Sequence, residues 1–308
     1  MQINKFSSTR PFPFKEYEKN VTIMEINNDM ELLEILRSAR VEGKTVSIVG
    51  TGTHSRKSAD LIVSTLKMSG FEIKRGEVVA QAGASVTKIR EEAMSSDLLF
   101  PSLYDGTVGG LLALNEAYPI STGYGTPYSF TQWAKVVTPV GILKWRGLIG
   151  SKGLLGGFTE ASMKLFPRPH RVVTFTKRVE TEELIKLYGQ ALGLKPLAFL
   201  VEYDNGYRLH VSLSEGELEG LESYEGVPVV EDSDRGSYMV KTEDLSSFME
   251  LMERVKPIYA YYIHGVKWSK VYTSEENELN GWEYFPTGDV PGVVKKLKRV
   301  LDHWNTLV

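Results

Sequence analysis

An α+β fold in two parts is what this sequence predicts, and three features carry the prediction. Two glycine-rich segments, Gly50-Thr51-Gly52-Thr53-His54-Ser55 and Thr107-Val108-Gly109-Gly110, bracket a stretch patterned as strands and helices. Phe166-Pro167-Arg168-Pro169 closes that first part, because prolines two apart continue neither a helix nor a central strand. Beyond it the texture changes to alternating strands joined by tight turns, the pattern of an antiparallel sheet with helices on one face. The expected divisions are residues 1–170, residues 171–288 and a last helix within residues 289–308.

Along the chain, Asn28 with Glu31 reads as a capping pair, and Leu32, Ile35, Leu36 and Ala39 recur at helical spacing up to Gly43. A strand over Thr45–Val49 runs into the first glycine segment, and Leu61–Thr65 is strand-like too. Val78–Ala82 is another strand, after which Ser85 caps a short helix carrying Val86, Ile89 and Ala93. Val136–Val140 and Ile142–Trp145 flank Gly141 as a hairpin. In the second part, Glu182–Leu192 is helical, with Leu184, Leu187, Tyr188 and Ala191 on one side. Phe199–Tyr203 and Tyr207–Leu213 form a hairpin about Asp204-Asn205-Gly206, since Asn-Gly suits a type I′ turn. Ile258–Val266 is a further strand. Asp289 starts a last helix through Val293, Val294, Leu297, Val300, Leu301 and Trp304.

Composition narrows the function classes. A chain of 308 residues, 42% of them hydrophobic, can bury a large core. A net charge of −3 leaves no basic footprint for nucleic acid. No apolar run approaches a transmembrane span, and Met1 to Phe14 lacks the apolar stretch of a secretion signal. A cytoplasmic chain is therefore expected, with any membrane association peripheral and made through a partner. Cysteine is absent, which excludes a cysteine-ligated iron–sulfur cluster in these residues. With five scattered histidines and no cysteine, no metal site is expected.

Glycine lets the main chain approach a ligand closely, and consecutive N–H groups in such turns form an anion-binding concavity. Two such segments suggest a diphosphate held from both sides. The first is not a dinucleotide fingerprint: Ser55 stands where the third glycine belongs, and Arg56-Lys57-Ser58-Ala59-Asp60 leads into a strand, not a helix. Loop amides are therefore expected to hold the phosphates.

Further segments keep the same order and spacing: Val46-Ser-Ile-Val-Gly-Thr-Gly-Thr53, Ala59-Asp-Leu-Ile-Val-Ser-Thr65, Val78-Val-Ala-Gln-Ala-Gly83, Thr107-Val-Gly-Gly-Leu-Leu-Ala-Leu-Asn115, Tyr124-Gly125, Ile149-Gly-Ser151 and Leu155-Gly-Gly-Phe-Thr-Glu-Ala-Ser-Met-Lys-Leu165. On these, the stretch from Val21 to Pro169 resembles the FAD-binding domain of the vanillyl-alcohol oxidase / p-cresol methylhydroxylase superfamily, and within it the FAD-binding subunits of the glycolate oxidase group. The resemblance implies a two-subdomain FAD-binding domain plus an α+β cap domain with an antiparallel sheet over the flavin. It implies that the last helix returns to the FAD-binding domain. It also implies FAD held by Gly50, Thr51, Gly52, Thr53, His54, Ser55, Thr107, Gly109, Gly110, Asn115, Gly125 and Phe158. Relatives that tether flavin through this loop carry the histidine directly after a Gly-Gly pair, which corresponds to Thr53 here, so non-covalent FAD is expected. One departure stands out. Where relatives have a longer stretch, only Gly147 and Leu148 separate Ile142–Arg146 from Ile149-Gly-Ser151.

The activity implied is that of an FAD-dependent 2-hydroxy-acid dehydrogenase or oxidase acting on glycolate or D-lactate, its electrons passing to a partner iron–sulfur subunit. A non-catalytic flavin-carrying electron-transfer subunit and a degenerate structural subunit are the alternatives. Oxidising a 2-hydroxy acid calls for a cation on the carboxylate and a base for the hydroxyl. Strand alternation places Arg208, His210 and Ser212 together on one face of their strand, and Tyr262 with His264 form a similar pair. Arg208, His210, Tyr262 and His264 are the candidate catalytic residues if those faces look at the flavin.

Overall fold

The computed structural model describes residues 22–52, 58–230 and 236–308. Its first part is two subdomains. Asp29–Glu42 forms a helix capped by Asn28, whose side chain accepts the Glu31 N–H at 3.0 Å, while the Glu31 carboxylate takes the Asn27 N–H at 2.9 Å. Such a cap is worth about 1 kcal/mol. The helix stops where Gly43 takes φ 66°, a left-handed conformation that glycine adopts without strain. It lays Leu32, Leu33, Leu36 and Ala39 toward a parallel sheet in which Leu61–Ser64 lies between Thr22–Glu25 and Val46–Val49.

The second subdomain is an antiparallel sheet in the order Phe71–Lys74, Glu77–Gln81, Gly157–Lys164, Thr131–Thr138, Gly141–Lys144. Helices Val86–Ser95 and Val108–Leu114 cover it, burying Val86, Ile89, Val108, Leu111 and Leu112 with Phe100, Phe130 and Phe158. The subdomains meet at Gly157, where a Cβ would stand 2.8 Å from both Ile48 Cδ1 and Leu32 Cδ2. The bare backbone is what lets the two layers pack this closely.

From Val173 the chain builds one antiparallel sheet of eight strands. Their order is Glu222–Glu225, Val173–Val179, Tyr207–Leu213, Ala198–Tyr203, Tyr259–Ile263, Trp268–Tyr272, Ser237–Lys241, Tyr284–Pro286. Helices Thr181–Gly193 and Leu245–Val255 cover one face, packing Leu184, Leu187, Phe248, Leu251 and Met252 with Val201, Leu209, Val211, Tyr262 and Val271. The Asn-Gly turn forms, with Asn205 and Gly206 at φ 48° and 144°. The strand expected over Ile258–Val266 spans only Tyr259–Ile263, because the chain turns through Gly265, at φ 83°, into Trp268–Tyr272. On the sheet's other face, His210 Nε2 lies 2.8 Å from Glu202 Oε2, and the Tyr259 hydroxyl donates to the same carboxylate.

The last helix runs over Gly292–Leu301 instead of starting at Asp289, since Pro291 precedes it and the Asp289 carboxylate turns back to accept the Val290 N–H at 2.8 Å. It ends at Leu301 because Asp302, wholly buried, accepts the N–H groups of Thr306 at 3.0 Å and Leu307 at 2.8 Å and the Lys298 ammonium at 2.5 Å. That arrangement sets Thr306–Val308 beside the first subdomain: Val46 N–H donates to the Thr306 carbonyl at 2.7 Å, and Val308 N–H to the Val46 carbonyl at 3.1 Å. Trp304 lies under the Arg40 guanidinium, 4.4 Å from ring centroid to Cζ, so it packs on its own chain.

Two outcomes follow from these polar clusters. Breaking a buried ion pair by removing one partner costs about 3–5 kcal/mol. Asp302→Ala should therefore lower unfolding free energy by that order and free the Val46 and Val308 amides to hydrogen exchange; unchanged exchange at both would show that the tail is held by other contacts. Glu202 is held below the ordinary carboxylate range by the His210 hydrogen bond first, with burial opposing and Tyr259 adding to the lowering. A carboxylate depressed on folding stabilises fully above its unfolded value, about 4.3, and loses that contribution as pH falls through its lower folded value. Wild type and Glu202→Gln should thus differ in stability at pH 7 and converge in acid, as followed by denaturant midpoints; a gap that stays constant down to pH 3 would contradict this.

Candidate functional site

One large cavity, about 740 Å³, lies between the first part and the eight-stranded sheet. That is within the roughly 300–1,000 Å³ of clefts that hold cofactors and substrates. Its floor is Gly50–Gly52, the Val108–Leu114 helix, and the turns after Asn115 and Ile149. Its roof is the face of the sheet that the helices leave bare, with Met239, Tyr261, Ile263, Trp268, Lys270 and Phe285. The Thr287–Val290 turn and the start of the last helix form a side wall.

The floor depends on a close approach between the two glycine-rich segments. Thr107, 4% exposed, caps the Val108–Leu114 helix by accepting the Gly110 N–H at 3.3 Å, and its hydroxyl stands where a Gly50 Cβ would be, 2.3 Å away. The second glycine segment is therefore a first helical turn, not a loop, and its amides are consumed. Val108 N–H donates to the Ala84 carbonyl at 3.0 Å and Gly109 N–H to that of Ala82 at 2.7 Å. The second segment therefore does not offer these amides to a diphosphate, against the grip from both sides that the sequence led one to expect. Gly50 and Gly52 differ: both line the cavity, Gly52 at φ 76°, and no described residue accepts either N–H. Gly110 makes room for Tyr104, whose hydroxyl would lie 2.4 Å from a Cβ there. Backbone donors opening on a cavity of cofactor size fit a diphosphate-bearing dinucleotide such as FAD.

Of the residues expected at a cofactor, Gly50, Thr51, Gly52, Thr107, Gly110 and Asn115 line the cavity. Asn115 takes φ 51° to cap the helix and accepts the Tyr128 N–H at 2.8 Å. Gly109 lies against Ala82, Gly125 against Ser129, and Phe158 in the core; none of the three lines the cavity. Thr53, His54 and Ser55 lie outside the described residues.

The four expected catalytic side chains are elsewhere, for two distinct reasons. Tyr262 and His264 have the wrong parity. Tyr262, 2% exposed, stacks on Phe248 in the helix-covered core with centroids 5.6 Å apart, while Tyr261 and Ile263 face the cavity. His264 turns to the helix side, its Nδ1 3.0 Å from the Tyr188 hydroxyl, and burial lowers its pKa. Arg208 and His210 are on the cavity-side face, but their strand is two positions away from Tyr259–Ile263, about 10 Å at the usual strand spacing. Arg208 is exposed and His210 is engaged by Glu202.

Side chains the pattern did not single out take their place. Tyr118 donates to Glu116 at 2.9 Å at the cavity edge. Burial first, then the Glu116 charge, raises the Tyr118 pKa, and burial with Glu116 and Asp105 pushes Tyr104 up to about 12, so both hydroxyls stay protonated donors. Lys152 ties the floor to the side wall by donating to the Thr287 carbonyl. Lys270 is 2% exposed and lines the roof. The period-2 alternation of Tyr259–Ile263 and Trp268–Tyr272 was the one signal available for the roof, and it leaves open which parity faces inward. Among the described residues, no group of three or more His, Cys, Asp or Glu side chains could hold a metal, and no helix is long and apolar enough to cross a membrane.

Comparison with known proteins agrees with this geometry. Residues 22–146 match the family model of the FAD binding domain. The D-lactate dehydrogenase of Archaeoglobus fulgidus is 28% identical over 189 residues, covering 53% of this chain and 43% of the relative. That of Anaerostipes hadrus is 24% identical, covering 64% and 45%. The glycolate oxidase subunit GlcE of Escherichia coli is 24% identical over 162 residues, 46% of each. The chain thus spans less than half the length of these curated relatives. Two solved structures of alkyldihydroxyacetonephosphate synthase superpose with TM-scores of 0.61 and 0.59 at 13% and 12% identity, covering 92% of this chain and 76% and 75% of theirs, which shows a shared fold. Residues 22–146 are an FAD binding domain of the p-cresol methylhydroxylase type, set in a chain related to D-lactate dehydrogenases and to the glycolate oxidase subunit GlcE.

Proposed function

We propose that this chain is the FAD-binding subunit of a 2-hydroxy-acid dehydrogenase, the class to which glycolate and D-lactate belong, working in the cytoplasm with its FAD held non-covalently. The observation that carries this reading is the cavity itself: its floor is the FAD binding domain and its roof is the face of the eight-stranded sheet that the helices leave bare. Gly50 and Gly52 amides would hold the diphosphate, with Thr107, Gly110 and Asn115 along the rest of the cofactor. Bound there, FAD supplies an acceptor for the two electrons released when a 2-hydroxy acid becomes a 2-oxo acid.

The chain's own side chains supply the remainder. Glu116, tied to Tyr118, is the floor carboxylate positioned to take the hydroxyl proton. The Tyr104 and Tyr118 hydroxyls, kept protonated, can donate but not accept a proton. The absence of cysteine means that electrons leave this chain for another molecule, and the similarity to a glycolate oxidase subunit supports an iron–sulfur protein as that partner. Native purification should yield such a complex; a homo-oligomer turning over with oxygen at full rate would overturn the partner.

The chain with its co-purifying proteins, loaded with FAD and made anaerobic, should lose its yellow colour on adding a 2-hydroxy acid. Bound flavin that no hydroxy acid bleaches would favour an electron-transfer subunit instead, and failure to take up flavin at all a structural one. Gly50→Val drives a Cβ and two methyls into buried Thr107 and should cut flavin content at least tenfold together with a lowered denaturant midpoint. Full flavin in a folded Gly50→Val variant would place the cofactor away from this loop.

A further inference from the structure

From Ala117 to Thr159 the sequence contains no aspartate or glutamate, in a chain that carries 39 acids among 308 residues, and its charges are the cations Lys135, Lys144, Arg146 and Lys152. This stretch builds one end of the FAD binding domain. It supplies the short helices Ser121–Tyr124 and Pro127–Phe130, the strands Thr131–Thr138 and Gly141–Lys144, and the cavity rim at Gly147, Ile149 and Gly150. Two of the cations are engaged within the chain: Lys135 by Asp29 at 3.3 Å and Glu160 at 3.5 Å, and Lys152 by the Thr287 carbonyl. Lys144 and Arg146 are exposed and meet no carboxylate among the described residues. Lys144 lies instead 4.0 Å from the centroid of the Trp133 ring, and Arg146 lies 4.8 Å from that of Tyr128 while donating to the Thr131 carbonyl at 3.2 Å. Between the two cations Trp145 is 50% exposed, and Tyr128 is 42% exposed. Gly141–Lys144 is the outermost strand of its sheet, so the backbone along its outer side pairs with no other strand among the described residues.

We infer that this face docks the electron-accepting partner, and that the partner presents acidic groups to it. The inference rests on the reading above that electrons leave this chain for an iron–sulfur protein. Charge favours that occupant: two cations without carboxylates, on a surface cleared of acids, attract a negative face and set its orientation. Composition favours a protein, because Trp, Tyr and Arg are the side chains that most often carry binding energy at protein interfaces, and Trp145, Tyr128 and Arg146 stand exposed together. Position favours an electron acceptor. A Cβ on Gly147 would stand 2.4 Å from Trp145 Cε2, and Gly147 lines the cavity, so the indole rests on the backbone of a single glycine in the cavity wall. A partner seated on Trp145 therefore lies against the outside of the proposed FAD site. Reoxidation there takes two electrons from reduced FAD, one for each reduction of the partner's cluster, and releases the protons to solvent.

The test uses the FAD-loaded chain and the iron–sulfur protein that co-purifies with it, identified by mass and iron content. Amide exchange of the chain, free and in the complex, should show protection over residues 128–133 and 141–147. Affinity is then measured by calorimetry at low and high salt. Trp145→Ala should weaken the complex at least about tenfold at either salt concentration. Lys144→Glu with Arg146→Glu should weaken it by at least about tenfold at low salt and by less at high salt, where the attraction is screened. Arg299→Glu, the same reversal on the exposed side of the last helix, should leave affinity within about twofold. Flavin content should be unchanged in all of these variants, which separates a lost interface from a lost fold. Undiminished affinity in both the Trp145 and the double variant, or protection elsewhere on the chain, would overturn the inference while leaving the partner reading intact. A face that instead pairs two copies of this chain, seen as a dimer that Trp145→Ala dissociates, would overturn it too. If no iron–sulfur protein binds the chain under any preparation, the partner reading falls and the inference with it.

Discussion

The contact on which the rest depends is that of Thr107 with Gly50. The threonine hydroxyl occupies the space a side chain at Gly50 would fill, so the Val46–Val49 strand can approach the Val108–Leu114 helix only with glycine at its end. The same hydroxyl caps that helix, and Thr107 also forms an isolated bridge with Ser85. A single buried residue thereby joins the end of the Val46–Val49 strand, the Val108–Leu114 helix and the Ser85 cap of the Val86–Ser95 helix. The carbonyls at the far end of the helix are taken by the N–H groups of Gly150 and Lys152, which sets the other rim of the floor. Because these donors and acceptors are spent inside the protein, the helix serves as a fixed surface, while no described residue accepts the Gly50 or Gly52 N–H.

Above the floor, sheet parity decides the chemistry. One face of the eight-stranded sheet is buried under two helices, and so its residues are chosen for packing: Phe199, Val201, Leu209, Val211, Tyr262 and Val271. The opposite set is freed from that duty, and it holds the roof residues together with the Glu202–His210–Tyr259 cluster.

Much of this architecture was legible in the sequence where local physics decides it. The Asn28–Glu31 cap, the left-handed Gly43, the Ser85 cap and the Asn205-Gly206 turn are each set by side chains within a few residues. What was not legible depends on contacts distant in the chain. Thr107-Val-Gly-Gly reads as a loop because glycines disfavour helices, yet it is a helix start because residues 82–84 and Gly50 demand close approach there. Asp302 ends the last helix early through the amides of Thr306 and Leu307, a cap that periodicity does not reveal. For the roof, alternation correctly separates the two faces of Tyr259–Ile263, but one face looks at helices and the other at the cavity, and only the tertiary fold says which.

One cavity, floored by Gly50–Gly52 and the Val108–Leu114 helix and roofed by the bare face of the eight-stranded sheet, is the proposed FAD site. An experimental structure of the chain with FAD bound tests this most directly. The diphosphate should lie against the Gly50 and Gly52 amides and the flavin ring in the cavity beneath the sheet. FAD bound outside this cavity would contradict the account.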